Sequence, residues 1–522
     1  MKTQSQYNSI LLPFIFLLIT GLFCNEIAYS SALLEYGGEI VLPVNEAPTF
    51  LDPLFAASPV ERLISSQTYE GLLRIKPTGE LEPALADSWE SFSGDTEIIF
   101  RLKKGISFHD GTQLTSDVVV KSLERLASPS HKAPQNWILD PVLGIKEFRT
   151  GKTESINGIQ NLDSSTLKIS LSTTAPDFIK NLGLLSASIV SFSTVNNTLF
   201  GTGPFEIKSH SPSGVTLLKA NSLYYSGRPC IDSLTLIPMP QDENRLLEFE
   251  RGKLTATPIP ESEFRRLSRD PKHKDYMVKT NIPRMSYLGC NMTRKPMNDV
   301  RFRQALSMAI NRDDMLLMIL NSHGKIMNQF FPFEEQQESF LNYSPESSQN
   351  LYSHILAKPV RLLIPNNSNS IRNLAQKISW NAQVAGIPMV VDELPFNQYR
   401  KAVQSGNYDL YYGTYRLDTP YPDVFLNELL VEPSRGTLGN STFFYSSEFL
   451  ALLNHYRLSS SAIERKTDLE HMNELLCRQL PIIPLLTYNE YWVYQESLQN
   501  AQNMADPIYN LRYLWIRKPI GR

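Results

Sequence analysis

The sequence predicts an α/β protein, because strand-like and helix-like segments are mixed along the chain without a repeat of fixed period. Alternating apolar residues predict strands at Glu97–Leu102 and Leu167–Leu171. Apolar residues spaced along one helical face follow Thr115 and the pair Asn298-Asp299. A further segment, Tyr408–Asn427, begins with a strand pattern that is apolar on both faces.

The aromatic strand predicts a ligand position. Tyr411 and Tyr415 fall on one face at period two, and Tyr408 and Tyr412 are predicted on the other. A strand apolar on both faces is typical of the middle of a covered sheet. Ligands of open α/β sheets collect beyond the carboxyl ends of such strands. Asp418 follows this strand and is a candidate to bind a ligand cation, although an Asp before Thr-Pro is also an ordinary turn residue.

Length and charge narrow the class of protein. At 522 residues the chain exceeds a single hydrophobic core and predicts several domains. The 50 basic and 53 acidic residues give a net charge of −3, which offers no electrostatic footprint for nucleic acid. An apolar content of 42% is that of a folded globular protein.

The N-terminus predicts export, with residues 1–30 as a signal peptide. Lys2 is the one charge before an apolar run of 14 residues, Ile10–Phe23, which suits a signal peptide and is too short to span a bilayer. Cleavage after Ala28-Tyr29-Ser30 would release a soluble protein. The alternative is lipid anchoring through Cys24, directly after the apolar run.

No local motif for catalysis or metal binding is present. The sequence lacks the zinc, nucleophile-elbow and P-loop signatures, and its eight histidines are scattered without metal-ligand spacing. Cys230, Cys290 and Cys477 are predicted to be small buried residues, since no two have a motif spacing. We therefore expect a binding protein without catalytic residues, cofactor or metal.

Seven segments occur in an order that resembles a known family. They are Thr49–Pro53, Tyr69–Leu73, Leu81–Trp89, Phe100–Thr112, Gly201–Phe205, Asn298–Leu306 and Leu480–Leu485. Together they resemble the oligopeptide- and dipeptide-binding proteins of ABC transporters, extracellular solute-binding protein family 5. The resemblance runs from about residue 38 to the C-terminus.

The resemblance implies a periplasmic binding protein-like fold, in which two lobes close over a cleft and carry an extra inserted domain. Domain I, a discontinuous α/β lobe, is predicted to comprise residues 31–61, 196–280 and 488–522. Domain II, the inserted α+β unit, is predicted at 62–195, and domain III, the second α/β lobe, at 281–487.

The resemblance also implies ligand-binding residues. Asp418 occupies the position of the aspartate that receives a peptide α-amino group, with Thr414, Tyr415 and Arg416 before it. Four further positions match cleft residues of the family: Ser58, Pro59, Tyr287 and Phe396. Where oligopeptide-binding relatives place basic residues for ligand carboxylates, this chain has Val403, Gln404 and Tyr412.

The implied function is capture of peptides in the periplasm and their delivery to an inner-membrane ABC permease with its ATPase subunits. The implied protein is a monomer that binds no nucleic acid and catalyses no reaction. Alternatives within the family are glutathione, haem or a metal chelate as ligand. From other classes, an exported hydrolase and a chaperone-like protein remain open.

Overall fold

A seven-stranded sheet forms the centre of the computed structural model. The structure describes residues 37–76, 78–193, 198–318, 323–327, 329–331, 342–352, 358–432, 439–506, 508 and 511–517. The central sheet has the order β13-β19-β14-β18-β16-β17, with β15 paired to β19. Its strands are β13 (Ala256–Pro258), β14 (Met277–Cys290), β15 (Lys325–Ile326), β16 (Val360–Pro365), β17 (Met389–Leu394), β18 (Leu410–Arg416) and β19 (Ile482–Tyr494).

Two further sheets within the described residues have four strands each. One, of order β1-β12-β11-β10, contains β1 (Glu39–Val44), β10 (Phe205–His210), β11 (Thr216–Ala220) and β12 (Ser233–Pro238). The other, of order β4-β5-β7-β6, contains β4 (Ala86–Phe92), β5 (Glu97–Leu102), β6 (Ile159–Asp163) and β7 (Thr166–Ser170). Three two-stranded antiparallel sheets within the described ranges pair β2 (Leu73–Ile75) with β3 (Leu81–Pro83), β8 (Ser191–Ser193) with β9 (Thr198–Phe200), and β20 (Leu498–Gln499) with β21 (Trp515–Ile516).

Helices of varied length cover these sheets. Within the described ranges the α-helices are α1 (Pro59–Thr68), α2 (Ser116–Ala127), α3 (Ile145–Arg149), α4 (Phe178–Asn181), α5 (Asp242–Glu250), α6 (Phe264–Leu267), α7 (Val300–Ala309), α8 (Arg312–Met318), α9 (Pro345–Leu351), α10 (Asn369–Val384), α11 (Phe396–Gln404), α12 (Pro422–Leu426), α13 (Ser447–Leu458) and α14 (Ala462–Gln479). The mixture confirms the predicted α/β class.

Separate cores define a first lobe, an inserted domain and a second lobe. The first-lobe core joins residues from distant parts of the chain, such as Ile40, Leu234 and Leu498. The inserted domain packs β5 and β7 against α2 through Phe100, Leu167 and Leu123. The second lobe has one apolar cluster on each face of its sheet.

Three predicted domain boundaries fall within single helices or strands. The boundary between residues 61 and 62 would divide α1, but Val60 and Ile64 both lie in the first-lobe core, so the whole helix belongs to that lobe. Residues 195 and 196 lie outside the described ranges. The boundaries at 280/281 and 487/488 fall inside β14 and β19, which run antiparallel from one lobe into the other.

The aromatic strand lies in the middle of the sheet, between β14 and β16. Tyr411 and Tyr415 pack into one cluster and Tyr412 into the cluster on the opposite face, as predicted. The prediction for Tyr408 was wrong, because its ring lies 5.1 Å from that of Tyr411 in the same cluster. The strand begins only at Leu410, so the period of two does not extend to Tyr408.

The three cysteines in the described part of the chain, Cys230, Cys290 and Cys477, are buried and unpaired with one another. Burial raises the pKa of the Cys290 thiol to about 12, which suppresses its nucleophilic thiolate form. Their expected role as small buried residues is confirmed. Cys24 and the proposed signal peptide lie outside the described residues.

Candidate functional site

A cavity of about 250 Å³ lies between the two lobes, and we call it the interlobe cavity. Its first-lobe wall includes residues before and within α1, and its second-lobe wall includes β14, β18 and α11. Seven of the eight residues predicted to bind ligand line this cavity, namely Ser58, Pro59, Phe396, Thr414, Tyr415, Arg416 and Asp418. Residues separated by more than 350 positions are therefore brought to one surface.

Strand pairing sets the second-lobe wall of the cavity. Arg284 of β14 lies opposite Arg416 of β18, and Ser286 lies opposite Thr414. Because side chains alternate between the faces of a sheet, these four residues all line the interlobe cavity. The cavity surface is therefore a polar stripe across two adjacent strands.

The same alternation corrects the prediction for Tyr287. Its side chain is fully buried on the other face of β14, where its ring lies 6.0 Å from that of Tyr411. Gly413 lies opposite, and a Cβ atom there would approach the Tyr287 ring to 2.3 Å. Tyr287 lines neither cavity described here and belongs to the core.

Asp418 lies two residues beyond β18, as predicted, but it already has cationic neighbours. Its Oδ2 is 3.1 Å from Nη1 of Arg62, and its Oδ1 is 2.7 Å from Nε of Arg416. The side chain is only 11% exposed, and Oδ1 is buried without a well-aligned hydrogen bond. The carboxylate therefore retains capacity to accept a hydrogen bond.

Glu428 is a second carboxylate at this position that the sequence analysis missed. It lies in a π-helical turn, Asn427–Val431, that continues from α12. Its oxygens accept hydrogen bonds from Arg62 at 2.7 Å, the Tyr415 hydroxyl at 2.6 Å and Gln135 at 2.7 Å. Gln135 belongs to the inserted domain, so this one carboxylate joins all three units.

Arg62 is the link between Asp418 and Glu428. Burial alone would lower the pKa of its guanidinium, but Glu428 and Asp418 raise it well above the usual value, so the cation is permanent. Arg62 is separated from Asp418 by 356 positions, and nothing local in the sequence indicates that they meet.

The turn before α1 is organised by Glu61. One carboxylate oxygen accepts the backbone N–H groups of Thr49 and Phe50, and the other accepts those of Ala57 and Ser58, at 2.9–3.1 Å. The Glu61 backbone N–H in turn donates to the Ser58 hydroxyl oxygen, which completes a capping box. The sequence Ser-Pro-Val-Glu thus places Ser58 and Pro59 on the cavity wall.

Charged groups line the interlobe cavity, although this chain lacks basic residues at the three positions where the family resemblance would place them. Of the three positions that lack them, Val403 is in the core, Gln404 is exposed and Tyr412 lines the cavity. Arg284 is paired with Glu490 at 2.8 Å in the same wall. Burial, assisted by Glu490, raises the pKa of the neighbouring Glu261 carboxyl.

A second cavity, of about 100 Å³, lies on the other side of Asp418, and we call it the junction cavity. It is bounded by the first lobe, the inserted domain and the second lobe. Arg62, Tyr415 and Asp418 line both cavities, so they form the partition between them. A ligand held at Asp418 therefore has space on two sides.

Residues 80–436 match the family described as bacterial extracellular solute-binding proteins, family 5 Middle, which is more than half of the chain. The chain belongs to bacterial extracellular solute-binding protein family 5. Within the described residues, His, Cys, Asp and Glu form no group of three that could hold a metal ion. No helix in those ranges is both long enough and apolar enough to cross a membrane.

Two family 5 relatives illustrate the similarity. The periplasmic murein peptide-binding protein MppA of Escherichia coli is 24% identical over 516 residues, which cover 91% of this chain and 93% of MppA. Heme-binding protein A of Haemophilus influenzae is 24% identical over 462 residues, which cover 81% of this chain and 82% of that protein.

Solved structures share the fold of this family 5 chain. The Escherichia coli murein tripeptide binding protein MppA has a TM-score of 0.81 and 22% identity, with 92% of this chain and 99% of that one covered. AppA of Bacillus subtilis, in complex with a nonapeptide, has a TM-score of 0.80 and 17% identity, with 93% and 100% covered. The predicted periplasmic binding protein-like fold is confirmed.

Proposed function

We propose that this chain is the substrate-binding subunit of an ABC importer, which captures peptides in the periplasm and delivers them to an inner-membrane permease with its ATPase subunits. Membership of family 5 supports a binding role without catalysis. The names of MppA and of the AppA nonapeptide complex support a peptide as ligand. Export of the protein to the periplasm would depend on residues 1–30. The exported protein would be a monomer.

Asp418 carries the proposal. It is a nearly buried carboxylate at the carboxyl end of a central strand, on the partition between two cavities. Its Oδ1 accepts no well-aligned hydrogen bond from the protein. A ligand ammonium bound there would make a short, charge-assisted hydrogen bond in a site with little water. Thr414 and Ser58 would offer polar contacts on either side, and Phe396 an apolar one.

The identity of the ligand is the direct test. We expect native mass spectrometry of the gently purified protein, and of apo protein given a mixed peptide pool, to detect bound peptides with free amino termini. N-acetylated copies of the same peptides should be excluded, because they carry no ammonium for Asp418. Binding of glutathione, haem or a metal chelate with no binding of peptide would contradict the proposal.

Closure of the lobes is expected on binding, because β14 and β19 are the paired strands that run between them. Their register shifts between Lys279 and Pro283, which weakens the ladder where a hinge would bend. Small-angle X-ray scattering should give a smaller radius of gyration with saturating peptide than without it. Identical profiles in the two conditions would contradict capture by closure.

A further inference from the structure

Arg62 spans the two lobes at the proposed ligand anchor. It belongs to α1 of the first lobe, and its two terminal nitrogens contact separate carboxylates of the second lobe. Nη1 is 3.1 Å from Asp418, and Nη2 is 2.7 Å from Glu428. The Arg62 side chain is 14% exposed, so the contacts are shielded from water.

The two carboxylates differ in how fully they are satisfied. Glu428 accepts from Tyr415 and Gln135 in addition to Arg62. Asp418 has Arg62 and Arg416 beside it, and its Oδ1 still lacks a well-aligned hydrogen bond. Arg62 can therefore dissociate from Asp418 while its ion pair with the fully hydrogen-bonded Glu428 remains intact.

The charges of this cluster are balanced before any ligand is considered. Arg62 and Arg416 contribute two positive charges, and Asp418 and Glu428 contribute two negative ones. A ligand ammonium at Asp418 would add an uncompensated positive charge within a few ångströms of both guanidinium groups. Such repulsion is substantial in a poorly hydrated site.

We infer that Arg62 is a specificity-determining residue, which competes with the ligand ammonium for Asp418 and favours peptides whose first side chain is acidic. An acidic side chain beside the ammonium supplies the missing negative charge and gives the displaced arm of Arg62 a partner. This inference rests on the proposed function, in which the ammonium binds Asp418.

The partition between the cavities places Arg62 within reach of that side chain. Arg62 lines both the interlobe and the junction cavity, together with Asp418. The side chain of the first peptide residue is attached beside the ammonium, so it passes the Arg62 guanidinium whichever of the two cavities it enters. The junction cavity, of about 100 Å³, has a volume suited to one side chain of moderate size.

The test compares three peptides that differ only in the first residue, which is Glu, Gln or Lys. Calorimetry on the wild-type protein should give an affinity for the Glu peptide about tenfold above that for the Gln peptide, with the Lys peptide weakest. In Arg62→Gln, the affinity for the Gln peptide should rise about five- to tenfold, and the preference for Glu should disappear.

Two further variants test whether the effect of Arg62 arises from competition with the ligand ammonium for Asp418 or from the loss of any ion pair between the lobes. Arg400→Gln removes the ion pair between Arg400 and Glu46, another pair that joins the lobes, but leaves Asp418 untouched. It should keep the wild-type order of the three peptides. Arg62→Lys keeps the positive charge and should keep the preference for Glu, although one ammonium cannot span both carboxylates as a guanidinium does. This variant also tests the role of the charge if Arg62→Gln does not fold.

The outcomes distinguish this inference from the proposed function. Weaker binding of the Gln peptide by Arg62→Gln, with an unchanged order of peptides, would overturn the competitor role. Equal binding of free and N-acetylated peptides by the wild-type protein would instead remove Asp418 as the ammonium anchor. Dependence on the free ammonium with no preference for a first Glu would leave the proposed function intact and overturn the inference about Arg62.

Discussion

Asp418→Asn should weaken capture of peptides with a free amino terminus by about tenfold or more. The substitution keeps the shape of the side chain but removes the charge that faces the ligand ammonium. A hydrogen bond to a charged group contributes about 1.5–3 kcal/mol, which sets the expected loss of binding free energy. Calorimetry with one peptide in its free and N-acetylated forms measures it.

The acetylated peptide and a second variant are the controls. Wild-type protein and Asp418→Asn should bind the acetylated form with the same low affinity, because the interaction with the charge is absent in both cases. Asp392→Asn removes an acidic residue of β17 that pairs with Arg361 of β16 and lines neither cavity. This variant should bind as the wild type does. Unchanged affinity of Asp418→Asn for the free peptide, with an intact melting curve, would remove Asp418 from the site.

Glu61→Ala should cause the largest loss of stability among single substitutions near the cleft, about 3–5 kcal/mol. Glu61 is 1% exposed, and its carboxylate accepts hydrogen bonds from four backbone N–H groups. Each buried donor left without an acceptor costs about 1–3 kcal/mol, and partial access of water reduces the total. The denaturant midpoint should fall, and amide exchange at residues 49, 50, 57 and 58 should accelerate.

Two milder variants show whether the loss of hydrogen-bond acceptors causes the loss of stability. Glu61→Gln keeps one acceptor oxygen and should lose about half as much stability. Glu80→Ala removes an exposed partner of Lys76 and should change the midpoint very little. A loss at Glu61 confined to ligand affinity, with normal amide exchange in the turn, would contradict the structural role assigned to it.

Some site predictions depend on residues that are close in the chain, and others depend on which face of the sheet a residue occupies. This difference explains which site predictions agree with the cavity geometry. Asp418 follows from the strand pattern, because ligands of open α/β sheets collect beyond the carboxyl ends of strands. Thr414 and Arg416 were implied by the family resemblance, and they line the cavity because they alternate onto one face of β18. The prediction for Tyr287 was wrong, because the family resemblance implied this residue without indicating which face of the sheet it occupies. Ser58 and Pro59 were implied by the family resemblance, and the structure shows that a capping box at the start of α1 holds them on the cavity wall.

The sequence by itself determined the α/β class, the family and the strand that carries Asp418. These features depend on residues close in the chain, whose spacing dictates secondary structure and caps. Only the tertiary structure decided that Arg62 and Glu428 meet at Asp418, because the lobes bring together groups 356 and 366 positions apart. The charge balance around Asp418 depends on that meeting, since electrostatic interactions act through space and are independent of order along the chain.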